Sequence, residues 1–275
     1  MAKAKREIAA RLKHIDVVIE LLDARAPFSS KNPDFDALSK NKKRLVLLVK
    51  ADLAPDDDMH AALRHYEAKN TKALAINAKS RTTIKKIIHA SRLLMEDVFA
   101  KEAARGRRPR AIRAVVVGIP NVGKSTLINT MAGRRSAPVG NVPGITRSMQ
   151  NIRVRDDFEL QDTPGILWPR FEAREIALKL ALLGTIKDHL LPLHDVAAFG
   201  IRHLAATAPG AFIERYGVEA DADDIAATLE GIGRRFGALQ RGGEIDVDRV
   251  VDLFIHDFRD ARFGKVMLDE VPDDV

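Results

Sequence analysis

The sequence predicts an α/β protein, in which a doubly wound sheet is followed by a small all-helical domain. Four apolar runs typical of buried strands alternate with helical stretches in the first part of the chain. Such alternation indicates a parallel sheet that is covered by helices on both faces. After about Phe171 only helical apolar spacing remains, interrupted by Pro and Gly. We therefore expect residues 1–170 to form the sheet domain and residues 171–275 to form the helical domain.

Each expected element rests on its own local pattern. The four apolar runs lie at Asp16–Leu22, Arg44–Val49, Ala73–Asn77 and Ala114–Val117. The helices of the sheet domain are expected at Asp56–Ala68, Thr83–Lys101 and Lys124–Met131. Two further strands, Ser148–Val154 and Phe158–Gln161, are expected to pair in antiparallel fashion. The later helices are expected at Glu172–Leu191, Leu193–Ala206, Ala222–Phe236 and Val247–Arg262, and the acidic tail Asp269–Val275 is expected to be frayed.

The composition excludes several classes of protein. The chain has 275 residues and no cysteine, which removes disulfides, thiolate metal sites and cysteine nucleophiles together. No apolar run approaches the roughly 20 residues that a membrane helix needs. The residues after Met1 contain no apolar stretch of the kind found in a secretory signal. We therefore expect a cytoplasmic protein with no membrane partner.

Positive charge is concentrated in the first part of the chain. Residues 1–115 carry 26 Lys and Arg against 14 Asp and Glu, although the whole chain has a net charge of only +7. A basic region of this kind favours a polyanionic partner through phosphate neutralisation. The alternative is a solvated surface that keeps the protein soluble. The same two interpretations apply to the arginines that precede the fourth apolar run, which are Arg105, Arg107, Arg108, Arg110 and Arg113.

A complete phosphate-binding motif, GIPNVGKS, runs from Gly118 to Ser125. It follows a predicted strand and opens a predicted helix, which is the context that GxxxxGK[ST] requires. Glycines let backbone N–H groups turn toward phosphates, and the helix N-terminus adds its dipole. Lys124 is therefore expected to reach the β- and γ-phosphates, and the Ser125 hydroxyl to bind Mg²⁺. A chance glycine-rich turn is the alternative, which this context disfavours.

Two further segments complete the predicted metal and γ-phosphate contacts. Asp162 ends a predicted strand and begins the segment DTPG. An acidic residue at that place can hold the metal ion through water, as a Walker B aspartate does, and we expect the Gly165 N–H to sense the γ-phosphate. Thr146 lies in a Gly- and Pro-rich loop and offers a second hydroxyl for Mg²⁺. A plain turn is the alternative for DTPG.

An aspartate that follows the second apolar run indicates which base is bound. A carboxylate that accepts hydrogen bonds from both N1–H and the amino group of guanine selects guanine, because unpaired buried polar groups penalise adenine. Lys50-Ala-Asp52 follows the run RLVLLV, whereas no lysine after the phosphate loop has an Asp two positions on. Asn77-Ala-Lys79 follows the next run and resembles the Ser-Ala-Lys loop that supports the base in GTPases. The sequence therefore predicts GTP and GDP as ligands.

The predicted site is assembled from these loops. The predicted nucleotide contacts are Lys50, Asp52, Asn77, Ala78, Lys79, Asn121, Val122, Gly123, Lys124, Ser125, Thr126, Thr146 and Gly165. The predicted Mg²⁺ ligands are Ser125, Thr146 and Asp162. The residues predicted to act in catalysis are Lys124, Gly165 and Asn121.

The order of the loops, with base recognition first, resembles the circularly permuted GTPases of ribosome assembly. The resemblance is carried by DARAPFSSKNP (Asp23–Pro33), PRAIRAVVVGIPNVGKSTLIN (Pro109–Asn129), PGITRSMQ, DTPGILWP (Asp162–Pro169) and IKDHLLPLHDVAAFG (Ile186–Gly200). It implies a P-loop GTPase sheet with circularly permuted order, since re-joining nearby chain ends preserves every contact. It also implies GTP hydrolysis during maturation of the large ribosomal subunit, with rRNA and ribosomal proteins as partners. Away from the ribosome we expect a monomer.

The sequence departs from that family at two places, and from Ras-like enzymes at a third. Val49 precedes Lys50 where the motif has Asn, which predicts weaker nucleotide binding by about 1–3 kcal/mol. Family members carry an aromatic-Pro-Gly-His segment ahead of the stretch that matches Met1-Ala-Lys-Ala, so the counterpart of that histidine is not in this sequence. Ile166 follows DTPG, and an apolar side chain cannot orient water as the Gln of Ras-like enzymes does.

Asn121 suggests how turnover is nevertheless supported. It resembles the Asn that holds K⁺ in potassium-activated relatives, although a loop Asn that satisfies its own backbone is an equal alternative. We therefore expect slow hydrolysis that needs K⁺, the ribosome, or both. Two other classes of function stay open, which are an RNA- or ribosome-binding module with an impaired nucleotide site and an ATP-dependent P-loop enzyme such as a kinase. Asp52 disfavours the kinase.

Overall fold

The predicted sheet is present in the computed structural model, which describes residues 12–39, 42–68, 71–133, 150–162 and 173–272. The chain divides into two units. The first comprises Met1–Arg170 together with Asp269–Val275, and the second comprises Phe171–Leu268. The last residues thus group with the sheet, which differs from the predicted boundary at residues 171–275.

Six strands form one sheet in the first unit. They are β1 (Val17–Asp23), β2 (Lys43–Val49), β3 (Lys72–Ile76), β4 (Ile112–Gly118), β5 (Gln150–Arg155) and β6 (Phe158–Asp162). Their order across the sheet is β3-β2-β1-β4-β6-β5. All neighbouring pairs are parallel except β5 with β6, which is antiparallel with an irregularity between Arg153 and Arg155. The six predicted strands are therefore confirmed in the described residues.

The helices of the first unit follow the predicted alternation. They are α1 (Pro33–Leu38), α2 (Asp56–Ala68), α3 (Arg81–Ala104) and α4 (Lys124–Ala132), with a short 3₁₀ turn at Ala51–Leu53. The sequence analysis missed α1, which is only six residues long. Its Phe35 is buried against Leu12, Ile15 and Val18. Val18 of β1 and Val115 and Val117 of β4 belong to the same cluster, because alternate residues of a strand face the same side of the sheet. Helix α1 therefore packs on that face.

The central strands are covered on both faces. Every residue of β1 is buried, and so are the last five residues of β2 and of β4. The near-continuous apolar runs in the sequence arise from this burial, because a parallel strand between two helical layers has no solvent-facing side. Two residues of β1 are charged, Glu20 and Asp23; the buried Glu20 carboxylate pairs with Arg44 of β2 at 2.6 Å.

The second unit is helical in its described residues. Its helices are α5 (Arg174–Leu182), α6 (Leu193–Thr207), α7 (Pro209–Tyr216), α8 (Ile225–Phe236) and α9 (Val247–Arg259). The single helix predicted over Glu172–Leu191 is wrong, because Gly184 adopts a left-handed φ of 71° and ends the helical run. A 3₁₀ turn follows at Asp188–Leu190. Helix α7 was missed, although Pro209 at its start is a favourable first helical residue.

Aromatic side chains form the core of the second unit. The Tyr216 and Phe212 rings lie 5.0 Å apart, and both contact Phe254 and Phe263. The Tyr216 hydroxyl donates to the buried carboxylate of Asp257 at 3.0 Å. Such packing requires helices with one strongly apolar face, which α8 and α9 provide.

Among the described residues, no single helix is long and apolar enough to cross a membrane. Helices α6 and α7 pass that test of length and composition only as a pair, and they are bent by 117° with respect to each other. Their Val196, Ile201 and Phe212 side chains are buried inside the protein.

The prediction of a frayed tail is wrong for Asp269, its first residue, whereas residues 273–275 lie outside the described part of the chain. The Asp269 carboxylate accepts hydrogen bonds from the backbone N–H groups of Phe28 and Ser29 at 2.8 Å each, and from the Ser29 hydroxyl at 2.5 Å. The Phe28 ring in turn stacks on Tyr66 of α2. Asp269 therefore stabilises the segment that follows β1.

Candidate nucleotide-binding site

The phosphate loop connects β4 to α4 and approaches β1 closely. A side chain on Gly118 would place its Cβ 2.8 Å from the carbonyl oxygen of Leu21 and 3.1 Å from Val122 Cγ1. Only glycine fits that space, since real Cβ atoms do not approach backbone oxygen so closely. The first glycine of the motif is therefore required by the packing of β4 against β1.

Lys124 lies inside the phosphate loop. Its side chain is buried, and its Nζ donates hydrogen bonds to the carbonyl oxygens of Ile119 at 2.9 Å and Gly118 at 3.2 Å. The ammonium group is thereby held against the backbone of the loop. A charge at this place is suited to phosphate oxygens, which are stronger acceptors than backbone carbonyls.

The remaining residues of the loop set its backbone conformation. Asn121 has a left-handed φ of 56°, and Gly123 has a φ of 114° just before α4 begins. Val122 is buried between them. Asn is one of the few non-glycine residues that adopt this conformation readily, so the backbone alone accounts for Asn121. The predicted role of Asn121 toward K⁺ stays a prediction.

Two of the residues predicted to hold Mg²⁺, Ser125 and Asp162, belong to elements next to the end of β4. Ser125 and Thr126 are half-buried in the first turn of α4. Asp162 ends β6 and lies opposite Val116 of β4, two residues before the phosphate loop. Thr146 and Gly165 lie outside the described residues. Oxygen donors of this kind fit Mg²⁺, which binds a few protein oxygens and completes its coordination with phosphates and water.

The predicted base-binding residues follow β2 and β3. Lys50 has a left-handed φ of 58° and precedes the 3₁₀ turn that carries Asp52. Asp52 is exposed, and its Oδ1 accepts a hydrogen bond from Asn77 Nδ2 at 3.1 Å. Asn77 Oδ1 accepts from the Lys79 N–H at 2.9 Å. The structure thus brings both predicted base loops into direct contact.

Two neighbours of these loops differ in exposure. Ala78 is buried between Asn77 and the exposed Lys79. Val49 is fully buried at the end of β2, in register with Asp23 of β1 and Ile76 of β3. The side chain that replaces the motif Asn is therefore part of the core of the sheet.

The sequence analysis missed Asp23 and Arg25 as site residues. Asp23 ends β1, is buried, and accepts a hydrogen bond from Lys50 Nζ at 2.7 Å. Its carboxylate also pairs with the Arg25 guanidinium, through Nε at 3.0 Å and Nη2 at 2.9 Å. Burial alone would raise the pKa of Asp23, but the charges of Arg25 and Lys50 hold it well below its usual range. The signal available in the sequence was a charged pair directly after a strand.

All these loops lie at one edge of the sheet. Strands β2, β3 and β4 are parallel, so the residues that follow them meet at the carboxyl edge, where β6 also ends at Asp162. Neighbouring strands lie about 4.8 Å apart, which separates the ends of β2 and β4 by about 10 Å. Ligands of open α/β sheets bind at this edge. The span suits a nucleotide whose base lies beyond β2 and whose phosphates lie beyond β4.

The arginines predicted to contact nucleic acid divide into two groups. Arg110 is held in a two-pronged ion pair with Asp16 at 2.7 Å and also contacts Glu102. Arg113 lies 3.8 Å from the same Asp16 carboxylate, and Arg107 lies 3.7 Å from Glu102. Within the described part of the chain, Arg105 and Arg108 form no ion pair, and both are exposed.

Comparisons with known proteins agree with this arrangement. The family model described as "50S ribosome-binding GTPase" matches residues 113–225, beginning at β4. Ribosome biogenesis GTPase A of Bacillus licheniformis is 45% identical over 100% of this chain and 97% of its own length. The chain belongs to the ribosome biogenesis GTPase A family. The protein of the same name from Bacillus cereus is 44% identical over 100% of this chain and 92% of its own length.

A solved structure of the same class extends the likeness to the fold. GNP-bound YlqF from T. maritima has a TM-score of 0.68 and 25% identity, and the match covers 98% of this chain and 99% of that chain. The match supports a circularly permuted P-loop GTPase sheet followed by helices. Membership of the ribosome biogenesis GTPase A family thus confirms the predicted family, the fold class and the enzyme class, which is a GTPase.

Proposed function

We propose that this chain binds and hydrolyses GTP to control its docking on a precursor of the large ribosomal subunit. The observation that carries the proposal is the placement of two loops at one sheet edge. The loop with Lys50 and Asp52 precedes the phosphate loop in sequence, yet it lies two strands away from it. A separation of two strands suits a nucleoside triphosphate, whose base would reach one loop and whose phosphates would reach the other. The spatial arrangement is the one that the ligand needs, although the base loop comes first in the chain.

In the proposed complex, each loop contributes a separate interaction. Asp52 accepts hydrogen bonds from N1–H and the amino group of guanine, and Asn77 holds the Asp52 carboxylate. Lys124 turns from the carbonyls of Gly118 and Ile119 to the β- and γ-phosphates. Val122, Gly123, Ser125 and Thr126 line the loop around the phosphates.

Mg²⁺ would be held by the Ser125 hydroxyl, Thr146 and Asp162, where it supplies charge neutralisation for the phosphates. Gly165 would contact the γ-phosphate through its N–H. Thr146 and Gly165 belong to segments that respond to gain or loss of that phosphate in GTPases. The segment after Asp162 leads directly into the helical unit along the chain, which suits a switch between docked and released states.

The proposed partners are rRNA and ribosomal proteins of the large subunit, met by a cytoplasmic protein that is monomeric away from the ribosome. The relatives carry ribosome biogenesis in their names. The exposed Arg105 and Arg108 are suited to rRNA phosphates. Residues 1–170 would act as the GTPase domain and the helices after Phe171 as a docking domain.

Nucleotide specificity is the first test. A fluorescent guanine nucleotide would be titrated onto the protein and displaced with GDP, GTP or ATP. We expect displacement by GDP and GTP and none by ATP. Asp52→Asn should lose GDP and gain xanthosine diphosphate, because the Asn amide donates to the carbonyl that replaces the guanine amino group. Equal displacement by ATP would reject the guanine assignment and favour a ribosome-binding module.

Ribosome coupling needs a second experiment. Co-sedimentation with large-subunit precursors should be stronger with a non-hydrolysable GTP analogue than with GDP. The double variant Arg105→Ala, Arg108→Ala should reduce binding and flatten its salt dependence. Arg110→Ala would instead lower stability, because Arg110 pairs with Asp16. Binding that is independent of the nucleotide would contradict the proposed switch.

Turnover should depend on a monovalent cation if Asn121 acts as proposed. GTP hydrolysis would be compared in KCl and NaCl, with and without large subunits. The expected result is faster hydrolysis in K⁺, lost in Asn121→Gly, which keeps the left-handed backbone conformation and removes the amide. Equal rates in both salts would leave Asn121 with a purely conformational role.

A further inference from the structure

Asp23 lies between the core of the sheet and the proposed base loop. It ends β1 in register with Val49, the residue before Lys50. Its carboxylate binds Lys50 Nζ at 2.7 Å, across the gap between neighbouring strands. Its own N–H donates to Ser30 Oγ at 3.0 Å, so its backbone is fixed as well. Asp23 is thus a rigid group from which Lys50 is held.

Lys50 needs such a restraint because its backbone is strained. A left-handed φ of 58° is unfavourable for a non-glycine residue and persists only where the surroundings enforce it. The Lys50 carbonyl accepts the hydrogen bond from the Leu53 N–H that closes the turn around Asp52. The conformation of Lys50 therefore sets the direction in which Asp52 points.

Arg25 completes the cluster from the other side. Its guanidinium is buried and paired with both Asp23 oxygens. Burial lowers the pKa of Arg25, but the charges of Asp23 and of Asp52 outweigh burial and raise it. Asp52 is thus one of the two carboxylates whose negative charge acts on Arg25. The cluster links the end of β1 electrostatically to the residue proposed to read the base.

We propose that Asp23 is a positioning residue for guanine recognition, which holds Lys50 and, through Lys50, orients Asp52 toward the base. The inference rests on the proposed role of Asp52. In this proposal a carboxylate at the end of β1 holds the base loop, because Val49 has no hydrogen-bonding group in its side chain. Asp23 need not touch the nucleotide to act in this way.

The test measures selectivity and not affinity alone. GDP and IDP differ only in the amino group of the base, so their affinity ratio reports how well a carboxylate accepts from that group. Asp23→Asn keeps the size of the side chain but removes the charge that holds Lys50. We expect the GDP-to-IDP affinity ratio to fall roughly fivefold to tenfold, the size of effect that follows from weakening one charge-assisted hydrogen bond.

The matched control is Glu20→Gln on the same strand. Glu20 is also a buried carboxylate of β1 that pairs with a cation of β2, in this case Arg44, but it lies three residues before Asp23. Its loss should leave the GDP-to-IDP ratio unchanged, whatever the change in thermal stability. A double-mutant cycle of Asp23→Asn with Lys50→Met should be non-additive, because Asp23 acts through Lys50.

Three outcomes decide the matter. A lower ratio in Asp23→Asn that is absent in Glu20→Gln supports the inference. Equal losses of GDP and IDP affinity in Asp23→Asn overturn it, because a purely structural role affects both ligands alike. No preference for GDP over IDP in the unmodified protein rejects the proposed role of Asp52 itself, and the inference with it.

Should Asp23→Asn fail to fold, the same contact can be tested from Lys50, which is half-buried. Lys50→Arg keeps a cation that can pair with Asp23, whereas Lys50→Met does not. A ratio preserved in Lys50→Arg and lowered in Lys50→Met supports the inference. Equal loss in both variants overturns it.

Discussion

Lys50 Nζ lies 2.7 Å from Asp23 Oδ2, and this contact joins the carboxyl ends of neighbouring strands β1 and β2. The two residues are 27 positions apart in the chain. Because Lys50 opens the turn that carries Asp52, the contact connects the proposed base loop to a buried ion pair.

Val49→Asn should tighten GDP binding by roughly 5- to 150-fold, the range that one or two recovered hydrogen bonds provide. Because Val49 is fully buried, the same change should lower the free energy of unfolding by about 1 kcal/mol. Isothermal titration with GDP and urea unfolding measure the two effects. Val49→Thr is the isosteric control and should give no gain in affinity, since its hydroxyl is too short to replace the amide.

Gly118→Ala should destabilise the protein by about 1–3 kcal/mol, the usual cost of overpacking. The new Cβ would lie 2.8 Å from the backbone oxygen of Leu21, which cannot move without displacing β1. Thermal unfolding of the nucleotide-free protein measures the loss. Gly210→Ala is the control, because a Cβ there meets nothing within 4 Å. Equal stability of the two variants would contradict the close approach of β4 to β1.

Asp269→Ala should lower the free energy of unfolding by about 2 kcal/mol, since a carboxylate that accepts two backbone N–H groups and a hydroxyl is removed. Hydrogen exchange should also accelerate at the amides of Phe28 and Ser29. The neighbouring Glu270→Ala removes the same charge from an exposed side chain and should leave both measurements unchanged. Protected amides at Phe28 and Ser29 in Asp269→Ala would contradict the contact.

Glu20 should give the protein a pH-dependent stability of unusual sign. Burial raises the pKa of Glu20, and the charge of Arg44 only partly offsets this effect. The folded state therefore holds a proton that the unfolded state releases, so stability falls as pH rises from about 4.5 through the folded pKa. Relative to the unmodified protein, Glu20→Gln should become more stable as pH rises over this range.

Urea unfolding at several pH values between about 4.5 and 8 tests that expectation. Glu159→Gln, on an exposed position of β6, controls for the loss of one negative charge. A constant difference between Glu20→Gln and the unmodified protein at every pH would show that Glu20 has the same pKa in both states.

Much of the fold was predictable because its signals are local. Parallel strands such as β1 and β4 appear in the sequence as short apolar runs, and helix α2 was predicted with the same bounds that it has in the structure. The break after α5 was missed because Gly184 interrupts a segment whose apolar spacing is otherwise helical. Helices α1 and α7 were missed because six and eight residues give little periodicity to detect.

The candidate site was predictable only in part. The phosphate loop has a fixed spacing that identifies it in any chain, and Asp52 followed from its distance to Lys50. The pairing of Asn77 with Asp52 depends on the neighbouring positions of β2 and β3, which no short motif records. The roles predicted for Thr146 and Gly165 stay predictions, because these residues lie outside the described part of the chain.

The sequence by itself determined the strands, the phosphate loop and the unusual order of the base and phosphate loops. These features depend on residues that are close together in the chain or on the order of the chain itself. Only the tertiary structure decided that Asp23 holds Lys50 and that Asp269 binds Ser29, pairs that are 27 and 240 positions apart. The partner of a carboxylate depends on which groups lie near it in space. Residues that are far apart in the chain come close together only when the sheet has assembled.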